Sequence, residues 1–229
     1  MLDLFSGLLY KNRLTRRFVF MRTLFQQARS SDRYQHILDA ALQVFSRRGY
    51  RDASVDDIAG TAQTSKGGIY FHFPNKEAIF LALLQRTATR LLEKIEDAAA
   101  STDDPIVKAD AALLTVLRTF VRHRALARLF MVEALGAGRE FHQRMAEIRN
   151  DFTMIIKRHL DKAVEEGVIA PIDTEIAARA WFGSLNEVIT QWILSGRPKD
   201  LEDAYAVLRI FLLRSIGVQD PVPHARRKR

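Results

Sequence analysis

Two short helices separated by a tight turn are the feature that most constrains the fold of this chain. Ser54 is the expected N-cap of the first, and Asp57, three residues on, completes a capping box. This helix is expected to run to about Ala62, and a second one from Ser65 to about Phe71 follows with almost no linker. Behind a longer supporting helix, such a pair predicts a helix-turn-helix.

The supporting helix is expected over 33–48, where apolar residues recur at spacings of three and four. These residues are Ile37, Ala40, Ala41, Val44 and Phe45. The short helices turn their own apolar residues to the same small core, namely Val55, Ile58, Ala59 and Ile69. The second short helix then crosses the first and can enter a major groove of DNA.

The rest of the chain is also helical in pattern, with no competing strand alternation. A long amphipathic helix is expected from about Lys76 to Ala100, after a break at Pro74 and Asn75. Glycine and proline separate the later segments, which are 106–123, 125–135, 139–166, 173–195 and 201–216. The predicted fold class is therefore all-α, with about nine helices.

Basic residues concentrate at the two ends of the sequence. Residues 1–30 hold six basic residues and one acidic residue, and the last four residues are all basic. Such ends attract polyanions, or they are solvated tails without a specific partner. The run from Leu4 to Tyr10 lacks a preceding basic cluster, so a secretion signal is not expected. Met21 is left open as an alternative translation start.

The absence of cysteine rules out disulfides, thiolate metal sites and a cysteine nucleophile, and it fits a reducing compartment. No run approaches the roughly 18 apolar residues of a membrane span. We therefore expect a cytoplasmic protein with no membrane partner, although a membrane-surface anchor within 14–25 is an alternative.

The second short helix has the composition of a contact surface. Ser65–Gly68 would make a poor core, and its two glycines weaken a helix by about 1 kcal/mol each, which fits a close approach of another molecule to the backbone. Lys66 can donate to guanine or to a phosphate. Alternatively this is a bare turn with core aromatics, an interpretation that we accept for Phe73 and leave open for Phe71. Further donors lie near the same edge, on Tyr70, His72 and Lys76.

Residues 33–80 resemble the DNA-binding domain of the TetR (tetracycline-repressor-like) family of bacterial regulators. The matching elements are Ile37-Leu38-x-Ala40-Ala41-x-x-x-Phe45, Gly49-Tyr50, Ser54-Val55-x-x-Ile58-Ala59 and Ser65-Lys66-Gly67-Gly68-Ile69-Tyr70-Phe71-His72-Phe73-x-x-Lys76-Glu77. The resemblance implies a recognition helix at about 65–71, with Thr64–Gly68 nearest the bases and with phosphate contacts from Ser54, Tyr70 and Lys76. The expected DNA-binding residues are Ser54, Thr64, Ser65, Lys66, Gly67, Gly68, Tyr70, Phe71, His72 and Lys76.

One position departs from that family pattern. The turn between the two short helices usually carries a glycine, and Gln63 occupies its place. Glutamine tolerates positive φ poorly. We expect either a slightly re-set turn or a Gln63 side chain that itself reaches DNA.

Two helices near the C-terminal end, over 173–195 and 201–216, are apolar over a wide arc. They need partners on both sides, and a central position in a monomer is the alternative. The stretch 167–187 resembles the start of the penultimate helix of TetR-like regulators, which implies a four-helix bundle between two subunits. The expected homodimer contacts are Leu185, Ile189, Trp192, Leu208, Phe211 and Leu212.

A ligand pocket is expected among the helices of 80–180. Bulky apolar groups with few fixed charges favour a small, mainly hydrophobic effector. The candidate lining residues, each of which is alternatively a plain core residue, are Phe120, His123, Phe130, Met131, Glu133, Phe152, Ile156 and Trp181.

The sequence lacks the motifs of a helical enzyme. No Glu is followed by His three residues later, and the His-Glu-x-x-His and Gly-x-Ser-x-Gly motifs are absent. The histidines show no metal-ligand spacing. We expect no catalytic residue, no metal and no cofactor.

These features predict a ligand-responsive transcriptional regulator, with a repressor favoured over an activator. It is expected to bind a palindromic double-stranded DNA operator as a homodimer and to leave it when the effector binds. The predicted segments are a basic extension over 1–30, a helix-turn-helix domain over 31–91 with its motif at about 54–73, an effector-binding and dimerisation domain over 92–218, and a basic tail over 219–229.

Overall fold

The computed structural model describes residues 31–100, 102–132 and 139–219. Within these ranges the chain forms nine α-helices and no strand, so the all-α prediction is confirmed. The helices are α1 over 31–52, α2 Val55–Thr61, α3 Lys66–Tyr70, α4 Lys76–Ala99, α5 Pro105–Arg122, α6 Arg124–Met131, α7 Arg139–Glu165, α8 Thr174–Ser195 and α9 Tyr205–Ser215, with a 3-10 helix, Leu201–Ala204, before α9.

Some sequence predictions fall outside these ranges. The basic extension over 1–30, the alternative start at Met21, the effector candidate Glu133 and all but the first residue of the tail over 219–229 are not among the described residues. No helix in the described part of the chain is long and apolar enough to span a membrane.

The chain divides into two compact units between Ile79 and Phe80. This division falls within α4, earlier than the predicted boundary after residue 91, because α4 begins in the first unit and continues into the second.

The first unit is built on the apolar faces that the sequence indicates. The core of the unit includes Ile37, Leu38, Ala41 and Phe45 from α1, Ile58 and Ala59 from α2, and Ile69 from α3. Full burial of a large aliphatic or aromatic side chain contributes about 1.5–3 kcal/mol. A few such residues therefore suffice to hold α2 and α3 in place.

The described residues of the second unit include two buried clusters. The α5–α9 core contains Leu113, Leu117, Ala127, Ile189, Trp192, Ile193, Leu201, Leu208 and Leu212. The α7–α8 core contains Leu160, Ala163, Ile169, Ala178 and Ile216.

Four of the six expected dimer contacts belong to the α5–α9 core. Ile189, Trp192, Leu208 and Leu212 are only 3–6% exposed. Side chains buried this far by their own chain present almost no surface to a second subunit, so the structure assigns them to the core instead. The guanidinium of Arg124 covers the Trp192 ring at 4.5 Å, and its Nη2 donates to the Trp192 carbonyl at 3.1 Å. Of the other two, Leu185 is half-buried and Phe211 is exposed.

Candidate nucleic-acid interface

The N-terminus of α2 is fixed by the expected capping box. The Ser54 Oγ accepts from the Asp57 backbone N–H at 3.1 Å, and the Asp57 Oδ2 accepts from the Ser54 backbone N–H at 3.0 Å. The Ser54 hydroxyl also donates to Asp57 Oδ2 at 2.7 Å, and Arg48 Nη1 lies 3.1 Å from Asp57 Oδ1. The hydrogen bonds from the side chain and backbone of Ser54, together with the Arg48 charge, lower the pKa of Asp57. The Ser54 hydroxyl must leave Asp57 before it can donate to a phosphate.

The turn between α2 and α3 keeps the left-handed conformation that favours glycine. Gln63 has φ 47° and an exposed side chain. The turn is held on both sides of it, because Ala62 N–H donates to the Ile58 carbonyl at 2.8 Å and Thr64 N–H to the Ala59 carbonyl at 3.0 Å. Glutamine thus adopts the positive φ itself, at a cost of about 1–2 kcal/mol. Direct contact of Gln63 with DNA stays a prediction.

The two glycines of α3 differ in the space that surrounds them. A Cβ added at Gly68 would lie 2.6 Å from Thr64 Oγ1, so any other residue there would force the Thr64 side chain to shift. A Cβ at Gly67 would meet only Ser65 Oγ, at 3.8 Å, which is an ordinary contact. Ser65 caps the helix by accepting from Gly68 N–H at 3.1 Å. Only Gly67 therefore retains the expected explanation, an open backbone that another molecule can approach.

The aromatic residues at the end of α3 separate into core and surface. Phe73 is 3% exposed and stacks on Tyr34, with ring centroids 4.7 Å apart, which confirms its core assignment. Phe71 is 79% exposed and Tyr70 46% exposed. The Phe71 ring meets His72 edge-on at 5.0 Å. This settles the alternative left open for Phe71 in favour of the surface, where Phe71 and Tyr70 are available to a partner.

Lys66 has a partner that sequence spacing did not reveal. Its Nζ lies 2.9 Å from Asp56 Oδ2 on α2, and both side chains are more than half exposed. The hydrogen bond to Asp56 raises the pKa of Lys66, so the ammonium is charged at neutral pH. Exposed ion pairs are weak in water. Lys66 can therefore exchange Asp56 for a base or phosphate without a large loss.

Lys76 has a structural role that competes with the expected phosphate contact. Its Nζ donates to the carbonyls of Tyr50 at 2.8 Å, Arg51 at 3.1 Å and Ala53 at 2.8 Å. It also lies 4.7 Å from the centroid of the Tyr50 ring. An ammonium has three donors, and here all three bind the C-terminal end of α1, where cations are favoured. The phosphate contact stays a prediction and would require one of these bonds to be exchanged.

The surface edge of the motif thus presents a defined set of groups. Thr64, Ser65, Lys66, Gly67, Tyr70 and Phe71 lie on or next to α3 with at least part of each residue accessible, and His72 is half-buried beside them. Cationic, hydroxyl, aromatic and open-backbone groups on one helix at the end of a rigid turn match the chemistry of a major-groove reading helix.

Comparison with known proteins agrees with this geometry. Residues 37–83 match the family model of bacterial regulatory proteins of the tetR family, and residues 102–212 match the tetracyclin repressor-like C-terminal domain. The transcriptional regulator TtgR of Pseudomonas putida is 31% identical over 72% of this chain and 82% of its own length. The chain belongs to the TetR family. It is a ligand-responsive transcriptional regulator with an N-terminal helix-turn-helix.

Within the TetR family, this chain is similar to regulators of fatty acid metabolism. The fatty acid metabolism regulator protein of Bacillus subtilis is 26% identical over 74% of this chain and 88% of its own length. The crystal structure of FadR from B. subtilis in complex with stearoyl-CoA superposes with a TM-score of 0.72, at 25% identity over 80% of this chain and 99% of that one. FadR from Bacillus halodurans also gives 0.72, at 27% identity over 81% and 100%.

The effector candidates of this TetR-family chain are distributed over several parts of the second unit. Phe130 is buried, with its ring 5.2 Å from that of Phe80, and Phe152 lies 6.3 Å from Phe182. Trp181 packs against both cores, and its Nε1 donates to Ser215 Oγ at 2.9 Å. Among the other candidates, Phe120 and Met131 pack on the α5–α9 core, Ile156 packs on the α7–α8 core, and His123 is exposed. Four of these side chains, those of Phe120, Met131, Ile156 and Trp181, thus pack against the two cores of the second unit.

Proposed function

We propose that this regulator represses its target genes as a homodimer on a palindromic operator and leaves the operator when a long-chain fatty acyl-CoA binds the second unit. It acts by binding alone, without catalysis. Its place of action is the bacterial cytoplasm, on the nucleoid while it is bound to DNA. The observation that carries the DNA-binding part is the exposed edge of α3, held by the capping box and the left-handed Gln63.

The reading of DNA is assigned to α3 and its flanks. Lys66 contacts a base or an adjacent phosphate, and Phe71 and Tyr70 contribute apolar surface and a hydroxyl donor. Gly67 allows the backbone to come close to DNA. The remaining proposed contacts, from Ser54, Thr64, Ser65, Gly68, His72 and Lys76, position the helix on the duplex.

Homodimerisation is supported by apolar surface on α8 and α9. Ile176 and Leu194 on α8, and Val207 and Phe211 on α9, are all more than half exposed. Large exposed apolar side chains grouped on a few elements commonly mark an interface. We therefore retain the four-helix pairing of α8 and α9 with their copies, with these exposed residues and Leu185 as the contacts.

The effector class is inferred from the relatives and from the apolar interior. One B. subtilis relative is named for fatty acid metabolism, and the similar structure of FadR from B. subtilis holds stearoyl-CoA. A long acyl chain needs apolar walls. The candidates Phe120, Phe130, Met131, Phe152, Ile156 and Trp181 would supply them. His123, which is exposed, and Glu133 complete the proposed set.

Release requires that the ligand distinguish two conformations. A ligand shifts an equilibrium only by the difference between its affinities for the two states. Because α4 belongs to both units, a preference of the ligand for one arrangement of α4 would alter the affinity for DNA.

The proposal is tested by fluorescence anisotropy on a labelled duplex from beside the protein's own gene. We expect the full chain to bind this duplex more tightly than a scrambled duplex, and stearoyl-CoA to release it. Free coenzyme A and unesterified stearate are the controls, and each should release the duplex less effectively. Unchanged anisotropy at saturating stearoyl-CoA would contradict the effector class, whereas equal binding to both duplexes would contradict sequence-specific repression.

A further inference from the structure

A basic groove lies on the second unit where α4, α5 and the 3-10 helix meet. It is open to solvent, with a volume of about 510 Å³. None of the effector candidates among the described residues lines it. The lining residues are Lys94 of α4, Arg118, Thr119, Val121 and Arg122 of α5, and Glu202 of the 3-10 helix.

The charges in this basic groove are not balanced internally. Three cations face one carboxylate, and Glu202 is paired with Arg118, whose Nε lies 3.2 Å from Glu202 Oε2. Lys94 and Arg122 have no ion-pair partner in the described part of the chain. Both cations line the same groove. Partial desolvation, and then the charges of Lys94 and Arg122, lower the pKa of His123. His123 is therefore neutral at pH 7 and does not add to the repulsion.

The donors in the groove suit phosphate oxygens. Arg118 and Arg122 are one helical turn apart and share a face of α5. Guanidinium groups bind phosphate with two parallel hydrogen bonds, and Lys94 adds a point charge. The Thr119 hydroxyl lies between the two arginines in sequence and is a further donor. The volume falls within the roughly 300–1,000 Å³ of small-molecule sites and exceeds what one inorganic phosphate needs.

We infer that the basic groove binds the phosphate groups of a nucleotide-bearing ligand, and that this ligand is the coenzyme A portion of the effector. The identity of the ligand rests on the proposed function, whereas the phosphate chemistry rests on the groove. Phe120, between Arg118 and Arg122 in sequence, packs instead on the α5–α9 core. The same helix thus offers cationic groups to a polar head and an apolar side chain toward the interior.

The test is isothermal titration of the full chain with stearoyl-CoA, comparing two double variants that each lose two positive charges. Lys94→Gln with Arg122→Gln alters the groove. Arg139→Gln with Arg149→Gln, both exposed on α7, is the matched control. Loss of two phosphate-binding cations should weaken stearoyl-CoA binding about tenfold or more. The control pair should bind as the wild type does, and operator affinity without ligand should be unchanged in both.

A variant that is expected to bind stearoyl-CoA more tightly distinguishes an effect on the groove from a loss of folding. Glu202→Gln removes the one carboxylate among the described lining residues and frees Arg118. It should tighten binding about threefold, a gain that a misfolded chain does not produce.

Three results would overturn the inference. The first is equal affinity for stearoyl-CoA in the groove pair and the control pair. The second is weaker operator binding by the ligand-free groove pair, since the groove would then contact DNA. If the wild type does not bind stearoyl-CoA, the proposed effector is wrong, and free coenzyme A decides about the groove. If the wild type binds free coenzyme A and the groove pair does not, the site is upheld. If the wild type does not bind free coenzyme A, or if the groove pair still binds it, the inference is overturned, and this is the third result.

Discussion

At the scale of single residues, the side chains that we propose to contact DNA already make contacts within the chain, and these must be either exchanged or kept when DNA binds. Lys66 is paired with Asp56, Ser54 is engaged with Asp57, and Lys76 binds the end of α1. The first pair is exposed and easily exchanged, whereas the three bonds of Lys76 support the fold. Lys66 and Lys76 therefore carry the same charge but are not expected to play the same role in DNA binding.

Lys66→Ala should weaken operator binding roughly ten- to hundredfold and relax the preference at one base pair per half-site. The reason is the loss of a charged donor on the exposed edge of α3. Binding to a set of single-base operator variants measures both effects. Asp56→Asn is the control, since it leaves Lys66 in place and should not weaken binding. A loss of equal size on random DNA would make Lys66 a phosphate contact only.

Lys76→Ala should destabilise the first unit by about 1–3 kcal/mol, because three carbonyls at the end of α1 lose a charged donor. Denaturant unfolding measures this. The expected phosphate contact makes a separate prediction, a fall of about one in the slope of log affinity against log salt. A destabilised variant with an unchanged slope would show that Lys76 acts on the fold alone.

At the scale of elements, local sequence signals predicted the short helices well but predicted tertiary contacts poorly. The caps of α2 and α3 join residues that are three positions apart in the chain, so the spacing of residue types in the sequence reveals them. The bonds of Lys76 to Tyr50 and Ala53 join positions that are distant in sequence. Periodicity also could not say that the chain's own α5–α9 core, rather than a second subunit, buries Trp192. A wide apolar arc shows that a helix needs neighbours, but not which ones.

Gln63→Gly should stabilise the first unit by about 1 kcal/mol, because glycine adopts the observed φ of 47° without the penalty that glutamine incurs. The higher unfolding midpoint of the variant checks this. Gln43→Gly, at an exposed site within α1, should instead lower stability by about 1 kcal/mol. A lower midpoint for Gln63→Gly would mean that the glutamine side chain makes a contact that offsets its strained backbone. If DNA affinity falls while stability rises, Gln63 itself contacts DNA.

At the scale of the whole molecule, the proposed dimerisation would turn one reading helix into a specific regulator. A single recognition helix covers too few base pairs to find one site in a genome. Two copies of α3 placed about 34 Å apart would read successive major grooves on one side of the duplex. The exposed apolar residues of α8 and α9 are the surface through which we expect the copies to join.

Phe211→Arg should convert the dimer into a monomer, because it places a charge in the proposed interface without disturbing the buried core. Light scattering should give twice the 26.2 kDa chain mass for the wild type and the single mass for the variant. Val107→Arg, at an exposed apolar site on α5, is the matched control and should remain dimeric. A wild-type monomer that binds operator tightly would contradict the dimeric mechanism.

Whether α3 reads an operator is tested by a hydroxyl-radical footprint of the full chain on DNA from beside its own gene. We expect two protected half-sites, related by a two-fold axis, with centres about one helical turn or roughly 34 Å apart. Lys66→Ala should lose the protection at moderate protein concentration, and Asp56→Asn should keep it. Uniform protection without boundaries, or a specific footprint that is indifferent to changes in α3, would contradict the claim that this helix reads an operator.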